Sequence, residues 1–300
     1  MKTIISASRR TDIPAFYSDW FLNRIKAGYC EVPNPLNPNQ VSRVSLRSED
    51  IAGIVFWTRN PKPLIPHLNE LNARAIPYYF QYTILNNPRQ IDPKVPTLEQ
   101  SLATFKKLAQ LVGKDRVIWR YDPIYFTNVT NAQFHIDSFS LIADALKGFT
   151  IRSVISIVDV YRKIENRLRK LEEAGISALA CNESLLEETM AGIVASAKRN
   201  GMEMTSCAEV IDLTRYGVRP GKCVDDELVS KLFNYKPSAA KDSAQRPACN
   251  CIPSRDIGMY DSCLFNCAYC YATSSVTRAK TRFASHDVNS PRLIPLSNES

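Results

Sequence analysis

Gly53-Ile54-Val55-Phe56-Trp57-Thr58-Arg59-Asn60-Pro61 runs from an apolar stretch straight into a polar end. The apolar part does not alternate, so it suits a strand buried on both faces, as in a parallel sheet covered by helices. Comparable runs occur at Thr3–Ala7, Tyr78–Thr83, Val117–Tyr121, Ser153–Val158 and Glu203–Ala208. Helical patterns lie between them. Ala15–Ala27 carries Phe16, Trp20 and Ile25 and stops at Gly28. Thr97–Val112 opens with the capping box Thr97-x-x-Gln100 and ends at Gly113. Asn131–Lys147 places Phe134, Phe139, Ile142 and Leu146 at helical spacing. Glu183–Arg199 has Leu186, Met190, Ile193 and Val194 on one face and closes at Asn200-Gly201. Strand–helix alternation predicts βαβ units and a parallel sheet. About six units are legible, fewer than the eight of a closed barrel.

Two segments break the alternation. Cys30–Arg47, with Pro33, Pro35 and Pro38, reads as a hairpin or a long loop, and Tyr235–Arg246 reads as a polar linker. The expected organisation is an α/β part over residues 1–234, with a linker and cysteine-rich tail over 235–300 packed onto it in one integrated domain.

The 300 residues are 45% apolar and 23% charged, the ordinary balance of a soluble globular protein with a core of good size. No run of eighteen apolar residues occurs, so no membrane span is expected. The apolar stretch within Met1–Arg10 is too short for a signal peptide, and the expected location is cytoplasmic. Net charge is +8, but the basic residues are scattered without a block of five or six. A nucleic-acid partner is compatible with that charge but not favoured, because a phosphate footprint needs clustering.

Nine cysteines are present, and five of them fall between residues 249 and 270. Without a signal peptide, such clustering points to metal or redox work rather than disulfides. Cys263-Leu264-Phe265-Asn266-Cys267-Ala268-Tyr269-Cys270 has the spacing C-x3-C-x2-C. Three thiolates so placed can take three corners of a [4Fe–4S] cubane from one loop. Such clusters usually take four cysteines, so three leave an iron open, as catalysis at a metal requires. The alternative is a structural zinc site that draws on Cys249 and Cys251, although zinc loops favour paired C-x2-C knuckles. Cys207, Cys223, Cys249 and Cys251 form a second candidate set, for an auxiliary iron–sulfur cluster or a zinc ion. The bland reading is that Cys207 is a small buried residue and the others pack or stand free. Cys30 and Cys181 read as packing residues.

The triplet, with Tyr269 just before its third cysteine, resembles the signature of the radical S-adenosylmethionine (SAM) superfamily. There the open iron chelates the amino and carboxylate groups of SAM. Reduction then cleaves SAM to methionine and a 5′-deoxyadenosyl radical that abstracts hydrogen. The resemblance implies a [4Fe–4S] cluster held by Cys263, Cys267 and Cys270, SAM bound beside Tyr269, and an electron donor such as ferredoxin or flavodoxin. It also implies a partial (β/α)6 TIM-type barrel, here with a C-terminal cysteine-rich cluster-binding segment. Radical SAM proteins carry the cluster loop after the first strand, whereas here it follows the sixth, so the tail has to span the sheet's edges to reach the strand ends. No Gly-Gly-Glu segment closes the second strand, which ends in Trp57-Thr58-Arg59-Asn60-Pro61. Four further segments resemble the domain of unknown function 1848 family. They are Ser6-Ala7-Ser8-Arg9-Arg10-Thr11-Asp12-Ile13-Pro14, Cys207-Ala208-Glu209, Asp256-Ile257-Gly258-x-Tyr260 and Tyr271-Ala272. The likeness spans nearly the whole chain. That family is noted for a C-terminal cysteine cluster like the one normally found at the N-terminus of radical SAM enzymes, and it implies no activity.

In parallel α/β folds chemistry gathers at the C-terminal ends of strands. Ser8, Arg9, Arg10 and Asp12 follow the first expected strand, Thr58, Arg59 and Asn60 the second, and Arg120 and Asp122 the fourth. The fifth reaches Asp159 and the sixth Glu209. Arg10, Asp12, Arg59, Arg120, Asp122 and Glu209 are the catalytic candidates. Arginines at several ends suit bidentate recognition of a carboxylate or phosphate. The competing reading is that neighbouring Arg and Asp residues pair with each other. His67, His135 and His286 show no metal or triad spacing and read as surface or core residues. The expected function is a radical SAM-like enzyme acting on a small-molecule or anionic substrate. The alternative is an α/β protein with a structural zinc or iron–sulfur site that binds an anionic small molecule or nucleic acid.

Overall fold

A computed structural model describes residues 2–158 and 164–295. The strands are β1 (Thr3–Ala7), β2 (Tyr29–Pro33), β3 (Val41–Ser45), β4 (Ile51–Thr58), β5 (Tyr78–Thr83), β6 (Val117–Ile124), β7 (Arg152–Ile157), β8 (Glu203–Cys207), β9 (Arg219–Gly221) and β10 (Arg255–Asp256). The α-helices are α1 (Ile13–Phe16), α2 (Ser18–Ala27), α3 (Leu68–Ala73), α4 (Leu98–Val112), α5 (Ala132–Ala145), α6 (Glu165–Glu173), α7 (Glu183–Arg199), α8 (Asp226–Phe233) and α9 (Val276–Ala284). None of the described helices is long and apolar enough to cross a membrane.

Eight strands form one parallel sheet in the order β10-β1-β4-β5-β6-β7-β8-β9. All six expected strands are present, but the six-unit count falls short because β9 and β10 extend the two edges. These two strands have three and two residues and little apolar character, too little to register as a periodicity. Among the described residues no ladder joins β9 to β10, so no closed barrel forms. The sheet is nevertheless curled. Ile252 N, just before β10, donates to Val224 O, just after β9, at 3.1 Å. A flat eight-stranded sheet would hold its edges roughly 34 Å apart.

Both faces of the sheet are buried, which is why its strands read as continuous apolar runs. Ile4, Val55, Tyr79, Ile118 and Val154 pack on one face with Val224, Val229, Phe233 and Ile252. Their neighbours Ile5, Phe56, Phe80, Trp119 and Ile155 pack on the other with Phe21, Phe105, Phe139 and Met190 from the helices. The capping box of α4 forms in both halves. Cys30–Arg47 is a hairpin, with β2 antiparallel to β3. The expected helix Ala15–Ala27 is instead two helices. Asp12 caps α1, Pro14 lies in its first turn, and Tyr17 leaves helical geometry at φ −136°, ψ 25°. The buried Tyr17 hydroxyl donates to Ser262 O at 2.7 Å, which ties this break to the C-terminal tail.

The tail's strand β10 lies beside β1, with Ser6 opposite Asp256. The Asp256 carboxylate accepts from Ser6 Oγ, Ser8 Oγ and Arg9 N, each at 2.7 Å, and from Gly258 N at 2.9 Å. Thus the N-terminal segment Ser6–Pro14 and the C-terminal segment Asp256–Tyr260 meet side by side. His135 is a core residue. Its ring lies 2.9 Å from Tyr121 Oη and 3.2 Å from Tyr125 O, and burial lowers its pKa to about 4 against the hydrogen bond that the ring donates to Tyr125 O.

Two outcomes follow from this packing. A Cβ on Gly258 would stand 2.0 Å from Ser8 Oγ and 2.6 Å from Ser8 Cβ. Gly258→Ala should therefore cost about 1–3 kcal/mol in urea unfolding, and markedly less in a Ser8→Gly background. Equal costs in both backgrounds would disprove the contact. For His135, the unfolded chain takes up a proton near pH 6.5 and the folded chain near 4. Between those values the unfolded state binds more protons, so stability falls as pH drops through the window. His135→Gln should remove up to roughly 3 kcal/mol of that slope, and an unchanged slope would refute the assignment.

Candidate functional site

The C-terminal ends of the strands and the tail together enclose a cavity of about 770 Å³, within the usual range of small-molecule sites. Arg10, Asp12, Arg59, Arg120, Asp122 and Tyr269 all line it, as do both cysteine sets. Glu209 is not among the lining residues. Its carboxylate accepts from Ile157 N at 2.9 Å and Val210 N at 3.0 Å, and so orders the ends of β7 and β8. Asp159 lies outside the described residues.

Cys263, Cys267 and Cys270 sit on one loop pinned from several sides. Ala268 N donates to Ile91 O at 2.9 Å. Arg167 donates to Cys267 O at 2.8 Å and also to Cys270 O. Phe265 packs on Phe16, with ring centroids 4.6 Å apart. Asn266 takes φ +59°, a left-handed position that Asn tolerates better than most residues, and this turns the loop between the first two cysteines. Arg59 joins the loop to β4. Its guanidinium grips Asp92 in bidentate fashion at 2.8 and 2.9 Å and reaches Cys267 Sγ at 3.2 Å. The Tyr269 hydroxyl accepts from Arg59 and donates to Asp92 at 2.9 and 3.0 Å. Asp12 holds the same strand end, accepting from Arg59 N at 2.6 Å and Ala15 N at 3.0 Å. Burial raises Asp12 to about 7 despite those donors. Burial likewise pushes the thiols of Cys263 and Cys267 up, the latter against the pull of Arg59. They are therefore held protonated, and a metal binding there must displace protons.

The second cysteine set also converges. Cys207 ends β8, Cys223 follows β9, and their sulfurs are 3.1 Å apart. Cys251 Sγ accepts from Cys223 N at 3.2 Å and Val224 N at 3.4 Å. Hydrogen bonds from the Cys223 and Cys249 thiols hold Cys251 well below the ordinary thiol range, so the group shares its protons unevenly. Among the described residues, no three His, Cys, Asp or Glu side chains already stand around a common point in metal-ligating geometry.

The arginines are less available than their strand-end positions suggest. Arg59 is spent on Asp92. Arg120 pairs with Asp122 at 2.6 Å and also donates to Cys223 Sγ at 2.8 Å and Gln81 Oε1 at 3.2 Å. Here the competing reading, arginine paired with aspartate, describes the structure. Arg10 approaches Asp256 only to 4.0 Å and lies over the Tyr260 ring at 5.4 Å. Sequence reasoning missed Asp92 and Arg167, which no motif or spacing marks. Asp256 was visible only inside the Asp256–Tyr260 segment, without its role.

Residues 4–272 match the family described as "Domain of unknown function (DUF1848)", a span that includes both end segments and all seven clustered cysteines, and the chain belongs to that family. Comparison with curated proteins finds no match.

Asp92 is 1% exposed and Arg59 nearly enclosed, so removing one partner leaves an uncompensated buried charge. Asp92→Asn should destabilise the fold by about 3–5 kcal/mol, and Arg59→Met/Asp92→Leu should recover most of that loss. An Asp92→Asn variant as stable as wild type in urea would show that the pair does not hold the loop.

Proposed function

We propose that this member of the domain of unknown function 1848 family is an iron–sulfur enzyme of the radical SAM type, in which Cys263, Cys267 and Cys270 hold a [4Fe–4S] cluster. One observation carries the reading. Three thiols on a single loop line a half-open, arginine-lined cavity at the C-terminal ends of a curled parallel sheet. That is where parallel α/β enzymes place their chemistry. The curled sheet supports a partial barrel of the radical SAM kind. The cluster loop follows β10, the parallel neighbour of β1, so it arrives beside the end of the first strand by a permuted route.

The donor set fits such a cluster. Three cysteines leave an iron open for SAM. Cys267 Sγ accepts from Arg59, which suits anionic sulfur. When bound, the cluster would supply the electron for reductive cleavage of SAM, delivered by a ferredoxin- or flavodoxin-type donor. Asp12 and Asp92 fix Arg59, and through it the loop. Tyr269 closes that network on the loop side. Arg10, whose ion pair is loose, is the side chain best placed to receive a carboxylate of SAM or of an anionic substrate.

Anaerobically reconstituted protein should contain acid-labile sulfide and at least as much iron. Its reduced form should give an electron paramagnetic resonance signal that changes on adding SAM, and dithionite should yield 5′-deoxyadenosine. Cys263→Ala should lose the signal and the product. A fully loaded sample that neither responds to SAM nor forms 5′-deoxyadenosine would overturn the proposal.

A further inference from the structure

The geometry points to a second metal site, separate from the triplet, in which Cys207, Cys223, Cys249 and Cys251 bind a single divalent ion, Zn²⁺ or Fe²⁺, as a tetrahedral tetrathiolate. The inference does not depend on the radical SAM reading. It starts from the donors around these sulfurs. Cys251 Sγ accepts from two backbone N–H groups, of Cys223 and Val224, at 3.2 and 3.4 Å. The Arg120 guanidinium lies 2.8 Å from Cys223 Sγ, and the positive charge of Arg9 faces Cys251 electrostatically. Such donors are arranged for thiolates rather than thiols.

The same four sulfurs are nonetheless packed together. Cys207 and Cys223 touch at 3.1 Å, and Cys251 contacts both Cys223 and Cys249. Four cysteine sulfurs gathered in one pocket, with N–H donors aimed at them, suit a shared cation. Size decides which kind. Sulfurs at about 2.3 Å from one ion stand about 3.8 Å apart, close to the observed contact, whereas the corners of a cubane spread its ligands much further. Binding therefore asks Cys207 and Cys223 to part by about 0.7 Å and the other two sulfurs to turn toward a common centre. The doubly negative tetrathiolate would be offset by Arg120, which also pairs with Asp122, and by the nearby charge of Arg9.

The place in the fold gives the ion its task. Cys207 and Cys223 belong to the β8/β9 edge of the sheet, while Cys249 and Cys251 lie just before β10 at the other edge. These are the edges that no strand ladder joins among the described residues. The ion would staple them and seat the tail that carries the Cys263–Cys270 loop.

The test uses the full chain carrying Cys263→Ala, Cys267→Ala and Cys270→Ala, so that the triplet cannot contribute. Purified anaerobically, this variant should retain a single zinc or iron ion per chain with no acid-labile sulfide. Exchange with Co²⁺ should give the intense visible and thiolate charge-transfer bands of tetrahedral cobalt. Adding Cys249→Ser and Cys251→Ser should abolish both the ion and the bands. Chelation of the retained ion should speed proteolytic cleavage within Tyr235–Arg246. Iron accompanied by equal sulfide in the triple variant would overturn the single-ion site in favour of a second cluster. Four thiols that stay reactive toward a thiol reagent in the presence of added Zn²⁺ would overturn the site altogether. Loss of the triplet's own cluster would instead show as absent sulfide in wild type, so the two proposals fail separately.

Discussion

The Asp256 carboxylate receives four hydrogen bonds, from Ser6, Ser8, the Arg9 amide and the Gly258 amide, and so fastens the last strand of the sheet to the first. Hydrogen bonds to a charged acceptor are among the stronger ones a protein makes. The contact also sets position, because Gly258 has to lack a Cβ for the chain to pass Ser8. From this joint the tail emerges at the C-terminal ends of the strands. Without it, residues far apart in sequence, such as Arg59 and Cys267, would have no reason to meet.

The cavity beyond the joint is dense in buried charge. Burying a guanidinium or a carboxylate alone is expensive, and Arg59 and Arg120 both have partners. Arg59 answers to Asp92 and Tyr269, and Arg120 to Asp122 and Cys223. The two arginines thereby hold one sulfur from each cysteine set. Networks of this kind position groups more than they add stability, which fits a site whose ligands come from opposite ends of the chain.

Much of the architecture was legible in the sequence because it depends on local periodicity. Runs such as Tyr78–Thr83 and Val117–Tyr121 are apolar on both faces, and Thr97 with Gln100 announces a helix start. The parts that depend on tertiary pairing were not legible. The short strands β9 and β10 exist only because a neighbour accepts their hydrogen bonds, and the break at Tyr17 reflects an anchor on Ser262. At the site, residue types were visible but their partners were not. Arg59 and Arg120 stood out as strand-end arginines, while Asp92, which occupies Arg59, lies in an unmarked loop. Glu209 had the right position in the chain but turns its carboxylate to the backbone of β7. The convergence of Cys207, Cys223, Cys249 and Cys251 needed the two sheet edges brought together, which spacing alone does not encode.

The most direct measurement is diffraction at the iron absorption edge from crystals grown without oxygen. The account expects a strong anomalous peak within bonding distance of the sulfurs of Cys263, Cys267 and Cys270, with one face of the peak open toward Arg10 and the cavity. Three free thiols at those positions, or a zinc signal in place of iron, would contradict it.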